Sequence, residues 1–289
     1  MHVQIALFDG FDPLDVIGPY EVLHAGGTAT RGAVSVELAS AEGPREVTSG
    51  TGGLALRATA ALDPERADVI VVPGASGRVG APGEAPQEQA GTGEPRRDAG
   101  TRYDPRQEAG TGDDPGQDAG TGDDPRQDAG TGDDPGQDAG TGDDPGQEAG
   151  TGDDPGQEAS VPELLGRTLT TGLPALLRQA MDDPEVTVAT VCGGSLVLAM
   201  AGLLEHRYAT THHLGLDLLD AAGAHAVHAR VVDDGDLISG AGVTSGLDLA
   251  LYLLERETGP RIAHSVEELF AHDRRGTVWR ARGPVPAAL

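Results

Sequence analysis

Cys192 is the residue of this chain best suited to covalent chemistry. It is the only cysteine among 289 residues, and it lies in the run Val186-Thr-Val-Ala-Thr-Val-Cys-Gly-Gly-Ser-Leu-Val-Leu-Ala-Met200. The β-branched residues before it predict a buried strand and the apolar residues after it predict a helix, so the cysteine stands at a sharp strand-to-helix turn. A helix N-terminus presents unpaired N–H groups that favour a thiolate, so we expect a reactive nucleophile rather than a structural thiol.

Two further loops accompany Cys192 at what we expect to be one edge of a sheet. Asp9–Asp15 follows the predicted strand Val3–Phe8, and Gly74–Gly77 follows the predicted strand Asp68–Val72. Ligands of parallel α/β sheets bind beyond the carboxyl ends of the strands, where such loops meet. The sequence therefore predicts a small-molecule site formed by these loops and the turn at Cys192.

Strands and helices alternate along the rest of the chain. The remaining predicted strands are Ala33–Ala39, Gly53–Thr59, Val186–Val191, Arg207–Thr210, Ala226–Val232 and Asp236–Ser239. The predicted helices are Leu14–His24, Val161–Met181 with a break near Gly172, Gly194–Leu204, His213–Ala222 and Ser245–Glu257. This alternation predicts an α/β sandwich with a mainly parallel central sheet. Ser245 and Asp248 have the spacing of a capping box at the start of the last helix.

Residues 81–160 interrupt this pattern. They carry 21 acidic and 5 basic residues and contain no Val, Ile, Leu, Met, Phe or Trp. Residues 99–158 are six ten-residue units such as Ala119-Gly-Thr-Gly-Asp-Asp-Pro-Arg-Gln-Asp128. A segment with so little to bury cannot offset the entropy of ordering its backbone, so we predict a disordered acidic insertion in one domain formed by 1–80 and 161–289. Calcium-binding nonapeptide repeats share the recurring Gly and Asp, but they carry an apolar residue in each turn that is absent here.

Composition narrows the class of protein further. A single cysteine excludes an internal disulfide framework and suits a reducing cytosol. The first residues carry no basic segment and no long apolar run, so we expect no signal peptide and a cytoplasmic location. No apolar run reaches the ~18 residues of a membrane span. A net charge of −27 without basic clusters argues against nucleic acid as a partner.

Several motifs resemble those of the ThiJ/PfpI superfamily, a class I glutamine amidotransferase-like group. The matching segments are Leu14-Asp-Val-Ile-Gly-Pro-Tyr-Glu-Val22, Val72-Pro-Gly74, Val191-Cys-Gly-Gly-Ser-Leu-Val-Leu198, Ala201-Gly-Leu-Leu204, Ala209-Thr-Thr-His212, Arg230-Val-Val-Asp-Asp-Gly-Asp236 and Gly240-Ala-Gly-Val-Thr-Ser-Gly-Leu-Asp248. Within the superfamily, the sequence is most similar to isonitrile (isocyanide) hydratases.

The resemblance implies a flavodoxin-like sandwich, a homodimer, and a site without metal or organic cofactor. The matching positions are Cys192 as nucleophile, Asp15 as the acid beside the sulfur, His212 as a histidine near the site, and Gly74, Ala75 and Gly193 as backbone donors to an anion. His212 and His213 could suggest a metal pair, but adjacent side chains of a strand or helix point apart, so we expect no metal.

These residues suit the addition of water to an isocyanide. A thiolate can attack the electrophilic carbon to give a thioimidate, which water then converts to an N-formamide, with one carboxyl serving as acid and base. The same site could process a reactive carbonyl, as glyoxalase-type relatives do, or hydrolyse an amide or peptide. A non-catalytic ligand sensor is a further alternative, since AraC-type regulators resemble this domain. Only Glu267–Leu289 follows the last well-matched helix, which led us to expect an enzyme.

Three positions depart from the pattern of the hydratases. Gly193 stands where relatives commonly have threonine, Ala75 where they have a second glycine, and His213 where they often have tryptophan. Backbone donors survive these changes, whereas the side chains that shape a pocket do not. We therefore expect the nucleophile to be retained and leave the identity of the substrate open.

Overall fold

A mainly parallel sheet of eight strands forms the centre of the structure, a computed structural model that describes residues 1–78 and 159–283. Across the sheet the strands are β12 (Trp279–Arg280), β10 (Val231–Asp233), β11 (Leu237–Gly240), β7 (Thr187–Val191), β6 (Val69–Val72), β1 (His2–Leu7), β2 (Ser35–Ser40) and β5 (Ala60–Ala61). All neighbouring pairs are parallel except β10 with β11. The predicted α/β class and the mainly parallel sheet are confirmed.

Two short ribbons lie outside this sheet. Strands β3 (Arg45–Thr48) and β4 (Ala55–Ala58) pair antiparallel, and strands β8 (Tyr208–Ala209) and β9 (His225–Ala226) pair parallel. The predicted strands Ala226–Val232 and Asp236–Ser239 overlap β10 and β11, which form a hairpin. In its turn, the Asp233 carboxylate accepts the Gly235 N–H at 2.8 Å.

The central strands are apolar because both faces of the sheet are covered. Every residue of β6 and β7 is buried, as expected for a parallel sheet with helices on both sides. In register, Ile5 of β1 pairs with Val71 of β6, and Val72 pairs with Thr190 of β7. These three strands therefore end side by side, which brings the loops that follow them to one edge of the sheet.

Two groups of helices pack on the sheet. The helices are α1 (Pro13–Ala29), α2 (Val161–Thr168), α3 (Leu173–Asp182), α4 (Gly194–Met200), α5 (Leu216–Ala221), α6 (Ser245–Thr258) and α7 (Pro260–Phe270). Helices α1, α6 and α7 pack on one another, whereas α2, α3 and α5 each contact α4. Among the helices of the described residues, none is long and apolar enough to cross a membrane.

Helix α1 is longer than predicted. The sequence predicts a helix over Leu14–His24, but α1 begins at Pro13 and continues through Gly26 and Gly27 to Ala29. A Cβ on Gly26 would lie 2.4 Å from Leu254 of α6, and a Cβ on Gly27 would lie 2.6 Å from the Val34 carbonyl oxygen. The two glycines therefore allow close packing rather than ending the helix.

The break predicted near Gly172 is confirmed, since it separates α2 from α3. Ser160, which we had assigned to the insertion, is the N-cap of α2, and the Glu163 carboxylate accepts both its N–H at 2.7 Å and its hydroxyl at 2.8 Å. The predicted insertion 81–160 otherwise lies outside the described residues, apart from Ala159.

The capping box predicted for α6 is wrong. Thr244 is the N-cap and makes no side-chain cap, while the Ser245 hydroxyl is buried without a partner among the described residues. Asp248 is almost fully buried and forms an ion pair with Arg230, and it also accepts the Arg275 N–H at 3.0 Å. Asp248 therefore binds the C-terminal segment to the domain.

Two C-terminal elements, α7 and β12, were not predicted. Helix α7 begins at Pro260, directly after Gly259 with a φ of 90°. Strand β12 pairs with β10 at the edge of the sheet, where Arg280 forms an ion pair with Asp233 at 3.0 Å. A strand this short has no periodic pattern that could reveal it in the sequence.

Candidate active site

Cys192 occupies the turn between β7 and α4, as predicted. Its φ of 53° lies in the left-handed region, which a side chain other than glycine seldom adopts. The Cys192 N–H donates to the Gly240 carbonyl of the neighbouring strand at 3.0 Å. The residue is 7% exposed, so the thiol is almost enclosed. Such strain at a reactive residue is typical of an active site.

The two glycines after Cys192 have different roles. A Cβ on Gly194 would lie 2.1 Å from the Val72 carbonyl oxygen, so only glycine fits where α4 begins against the end of β6. A Cβ on Gly193 would have no neighbour closer than 3.5 Å, which is an ordinary contact distance. Close packing of the turn therefore depends on Gly194.

Asp15 lies in the first turn of α1 and is fully buried. The loop before it is held by Asp12, whose carboxylate accepts the Leu14 N–H at 2.9 Å and caps the helix. Oδ2 of Asp15 accepts the Gly74 N–H at 2.9 Å. Oδ1 is buried and has no hydrogen-bond partner of normal geometry among the described residues.

The Asp15 carboxyl is held in its neutral form near pH 7. Burial raises its pKa to about 8, and the negative charge of Asp12 acts in the same direction. The hydrogen bond from the Gly74 N–H and the neighbouring Cys192 side chain lower the pKa without reversing the effect of burial. Because Oδ2 accepts an N–H, the proton of the neutral carboxyl belongs on Oδ1.

The thiol does not have the lowered pKa that we expected from the sequence. Burial raises the pKa of Cys192 well above its usual range, and the Asp15 carboxylate raises it further, while the Gly193 N–H lowers it. Helix α4 has only seven residues, and its dipole does not outweigh the removal of sulfur from water. The resting site is therefore a neutral thiol beside a neutral carboxyl.

The three backbone donors predicted from the sequence have different surroundings. The Gly74 N–H is bound by Asp15, so it orients the acid rather than an anion. The Gly193 N–H is the backbone group that lowers the pKa of Cys192. The Ala75 N–H has no acceptor among the described residues, and its nitrogen lies 3.8 Å from the position of a Cβ on Gly193. Of the two loop donors, Ala75 is therefore the one available to a ligand.

His212 is not hydrogen-bonded to the reactive pair. Its Nδ1 accepts the Leu214 N–H at 3.3 Å and so caps the short 3-10 turn that follows. Among the described residues its ring makes no hydrogen bond to Cys192 or Asp15. Partial burial and the neighbouring His213 lower its pKa. The structure thus gives His212 a structural contact, and its catalytic role stays a prediction.

The two adjacent histidines do not point apart as we had argued. The rings of His212 and His213 lie against each other, with centroids 4.2 Å apart. Within residues 1–78 and 159–283, no group of three or more His, Cys, Asp or Glu side chains could hold a metal ion.

A set of buried hydroxyl groups around the turn was missed by the sequence analysis. Its members are Thr190, Ser195, Thr210, Thr211 and Ser239, all at most 1% exposed. Thr190 and Ser195 bond to each other at 2.6 Å across the turn, and Thr211 donates to the Cys192 carbonyl at 2.7 Å. The available signal was the presence of Ser and Thr inside otherwise apolar runs, because buried hydroxyls need partners.

Comparison with known proteins identifies the family and the fold of this domain. Residues 166–256 match the model of the DJ-1/PfpI family. The chain contains a DJ-1/PfpI (ThiJ) family domain. In fold, this domain resembles a ThiJ/PfpI family protein from Pseudomonas syringae, with a TM-score of 0.57 and 21% identity over 95% of this chain and 76% of that one. It also resembles Drosophila melanogaster DJ-1beta, with a TM-score of 0.57 and 14% identity over 94% and 98% of the two chains. The flavodoxin-like fold is thereby confirmed.

The curated relatives match only part of this chain. Isonitrile hydratase of Pseudomonas putida is 49% identical over 80 residues, which are 28% of this chain and 35% of that protein. The HTH-type transcriptional regulator CdhR of Pseudomonas aeruginosa is 36% identical over 110 residues, which are 37% of this chain and 32% of the regulator. The chain thus spans about a third of the length of these relatives.

Proposed function

We propose that this DJ-1/PfpI domain is a cysteine-dependent, isonitrile hydratase-like enzyme that converts an isocyanide and water to an N-formamide. The observation that carries the proposal is the buried carboxyl of Asp15, with a pKa of about 8, beside the Cys192 thiol. Such a carboxyl can donate a proton near neutral pH and accept one in the next step. The partial similarity to the Pseudomonas putida isonitrile hydratase supports the same activity.

In the first step, the sulfur of Cys192 attacks the terminal carbon of the isocyanide. The S–H bond breaks and its proton passes to Asp15, while the proton held on Oδ1 of Asp15 passes to the same carbon. One S–C and one C–H bond form, and the product is a thioimidate on Cys192. The Gly193 N–H stabilises negative charge on the sulfur as its proton leaves.

In the second step, water attacks the thioimidate carbon. Asp15 relays one proton of the water to the nitrogen, and the other returns to sulfur as the C–S bond breaks. The products are an N-formamide and the free thiol of Cys192. The Ala75 N–H, which has no acceptor among the described residues, is the donor available to the oxygen that develops charge.

The reaction as written needs no metal or organic cofactor. The other expectations that accompany it, a homodimer, a cytoplasmic location and the absence of a nucleic-acid partner, stay predictions.

The proposal is tested by incubating the full chain with cyclohexyl isocyanide and phenyl isocyanide and measuring formamide by chromatography. Cys192→Ser keeps the size of the side chain and removes the thiol. We expect formamide from the unaltered protein and none above background from the variant. Equal formamide formation by Cys192→Ser would exclude every cysteine-based mechanism.

A ligand sensor is the second candidate, supported by the partial similarity to the regulator CdhR. In that case the protein would bind a small molecule without turnover. Absence of product from isocyanides, together with saturable binding measured by calorimetry, would favour this function. Lactate formation from methylglyoxal in the same assay would instead favour a reactive carbonyl as substrate.

A further inference from the structure

The peptide group between Cys192 and Gly193 is held at its carbonyl end. This carbonyl accepts the Thr211 hydroxyl at 2.7 Å, and the N–H of the same peptide is the backbone group that lowers the pKa of Cys192. Because a peptide group is planar and rigid, fixing the direction of the C=O also fixes the direction of the N–H. The Thr211 hydroxyl thus controls where the N–H points.

The segment that carries Thr211 is itself fixed by buried hydroxyl groups. The Ser195 hydroxyl donates to the Thr210 carbonyl at 2.7 Å, and the Thr210 N–H donates to the Ser239 hydroxyl at 2.8 Å. Since the single proton of Ser195 is used in this bond, Thr190 is the donor in the 2.6 Å bond between the two hydroxyls. These contacts tie the segment to β7, α4 and β11.

The backbone of Cys192 needs such restraint. Its φ of 53° is unfavourable for a residue with a side chain. The Cys192 N–H is held by the Gly240 carbonyl at 3.0 Å, and the carbonyl is held by Thr211. Without the second bond, the peptide that follows Cys192 is free to rotate, which changes the direction of the Gly193 N–H.

We propose that Thr211 is a positioning residue for the nucleophile: its hydroxyl fixes the Cys192–Gly193 peptide and so keeps the backbone of Cys192 in its left-handed conformation. The proposal requires only that Cys192 is reactive. It does not depend on an isocyanide as the substrate, so the two proposals can fail separately.

The test uses the reactivity of the sole cysteine as its readout. Alkylation by iodoacetamide is followed by intact mass between pH 6 and 10 for the full chain and for Thr211→Val, which keeps the shape and removes the donor. Rotation of the peptide would move the Gly193 N–H, which lowers the pKa of Cys192, so we expect alkylation at a given pH to slow about tenfold. Thr211→Ser, which keeps the hydroxyl, should stay within about twofold of the unaltered protein.

A matched control separates this effect from a general loss of stability. Thr258 also donates its hydroxyl to a backbone carbonyl, that of Leu254 at 2.6 Å in α6. Thr258→Val should leave the alkylation profile unchanged. An unshifted profile for Thr211→Val, or a shift that Thr211→Ser does not rescue, would overturn the proposal.

Should Thr211→Val fail to fold, Ser239→Ala decides the question. This variant removes the acceptor of the Thr210 N–H and loosens the segment while the Thr211 hydroxyl remains. We expect slower alkylation than in the unaltered protein. A profile identical to that of the unaltered protein would contradict the proposed role of the segment.

Discussion

Burial holds both reactive groups of the site in their neutral forms. The pKa of Asp15 is raised to about 8, and the pKa of Cys192 is raised by burial and by Asp15 itself. Each ionised form would therefore disfavour the other, so a single proton has to move between the two groups when the sulfur reacts. This coupling predicts that the substitution of Asp15 by Asn slows isocyanide hydration and speeds the alkylation of Cys192.

Asp15→Asn should slow isocyanide hydration by about 10²–10⁴-fold, because the amide cannot transfer the proton that the carbon needs. The same change removes a charge that raises the pKa of Cys192, so iodoacetamide should alkylate the variant faster at pH 9. Hydration kinetics and intact mass measure the two rates. A variant in which both rates fall would show that Asp15 acts only by supporting the fold.

Asp12→Asn should move the alkaline limb of the hydration rate to lower pH. Activity that needs the protonated acid falls as the pH rises through the pKa of Asp15, which is about 8. Removing the charge of Asp12 stabilises the ionised form of Asp15 and lowers that pKa, while Asn still caps the helix. The pH profile of kcat/KM measures the shift.

Asp9→Asn is the matched control for this prediction. Asp9 lies in the same loop, is largely exposed and forms an ion pair with Arg45 at 3.0 Å. It is not among the groups that shift the pKa of Asp15. If the alkaline limb of the pH profile of kcat/KM moved equally in Asp12→Asn and Asp9→Asn, the shift would be an effect of the loop rather than of the charge of Asp12.

At the scale of elements, the turn depends on the contact between the end of β6 and the start of α4. Gly194→Ala would place a Cβ 2.1 Å from the Val72 carbonyl oxygen, so we expect a loss of about 2–4 kcal/mol in the free energy of unfolding. Gly193→Ala, with its nearest contact at 3.5 Å, should change that free energy by less than about 1 kcal/mol. Urea unfolding measures both variants, and equal losses would contradict the difference between the two glycines.

Elements with long apolar runs could be predicted from the sequence, whereas contacts between elements could not. The strand before Cys192 and the helix after it follow from local pattern, whereas a place for Asp15 next to the cysteine was implied by the resemblance to the ThiJ/PfpI superfamily. The raised pKa of Cys192 depends on burial by the whole domain, which no local pattern contains. Thr211 is 19 residues from Cys192 in sequence, and only the fold reveals its hydrogen bond.

Helix α7 shows that an available signal was overlooked. Gly259 followed by Pro260 is a typical helix end and helix start. Asp248 shows the opposite case, since its spacing from Ser245 suggested a local capping box. Its partner Arg230 comes from another part of the chain, so the true contact could not be read from neighbouring positions.

At the scale of the whole molecule, the two ends of the gap in the described chain lie side by side. The Arg78 N–H donates to the Ala159 carbonyl at 3.2 Å, and the Val161 N–H donates to the Arg78 carbonyl at 3.0 Å. Deleting residues 90–158 would leave an 11-residue connection between residues 78 and 159, which is ample for ends this close. We expect the deletion variant to keep its hydration kinetics and its melting temperature. A changed KM for anionic isocyanides would instead give the acidic segment a role in substrate access.

Adjacent ends of this kind also make the junction a place for engineering. A guest protein whose own termini lie close together can be inserted between residues 78 and 159 without separating these two adjacent ends of the domain. A Cβ on Gly77 would lie 3.0 Å from the Leu164 side chain, and a Cβ on Gly193 would lie 3.5 Å from that of Leu165. Helix α2 thus lies between the junction and the turn at Cys192, so strain from such a guest would reach the cysteine through one helix. A conformational change in an inserted protein would then alter the reactivity of the Cys192 thiol, which is the signal that a biosensor built at this junction would report.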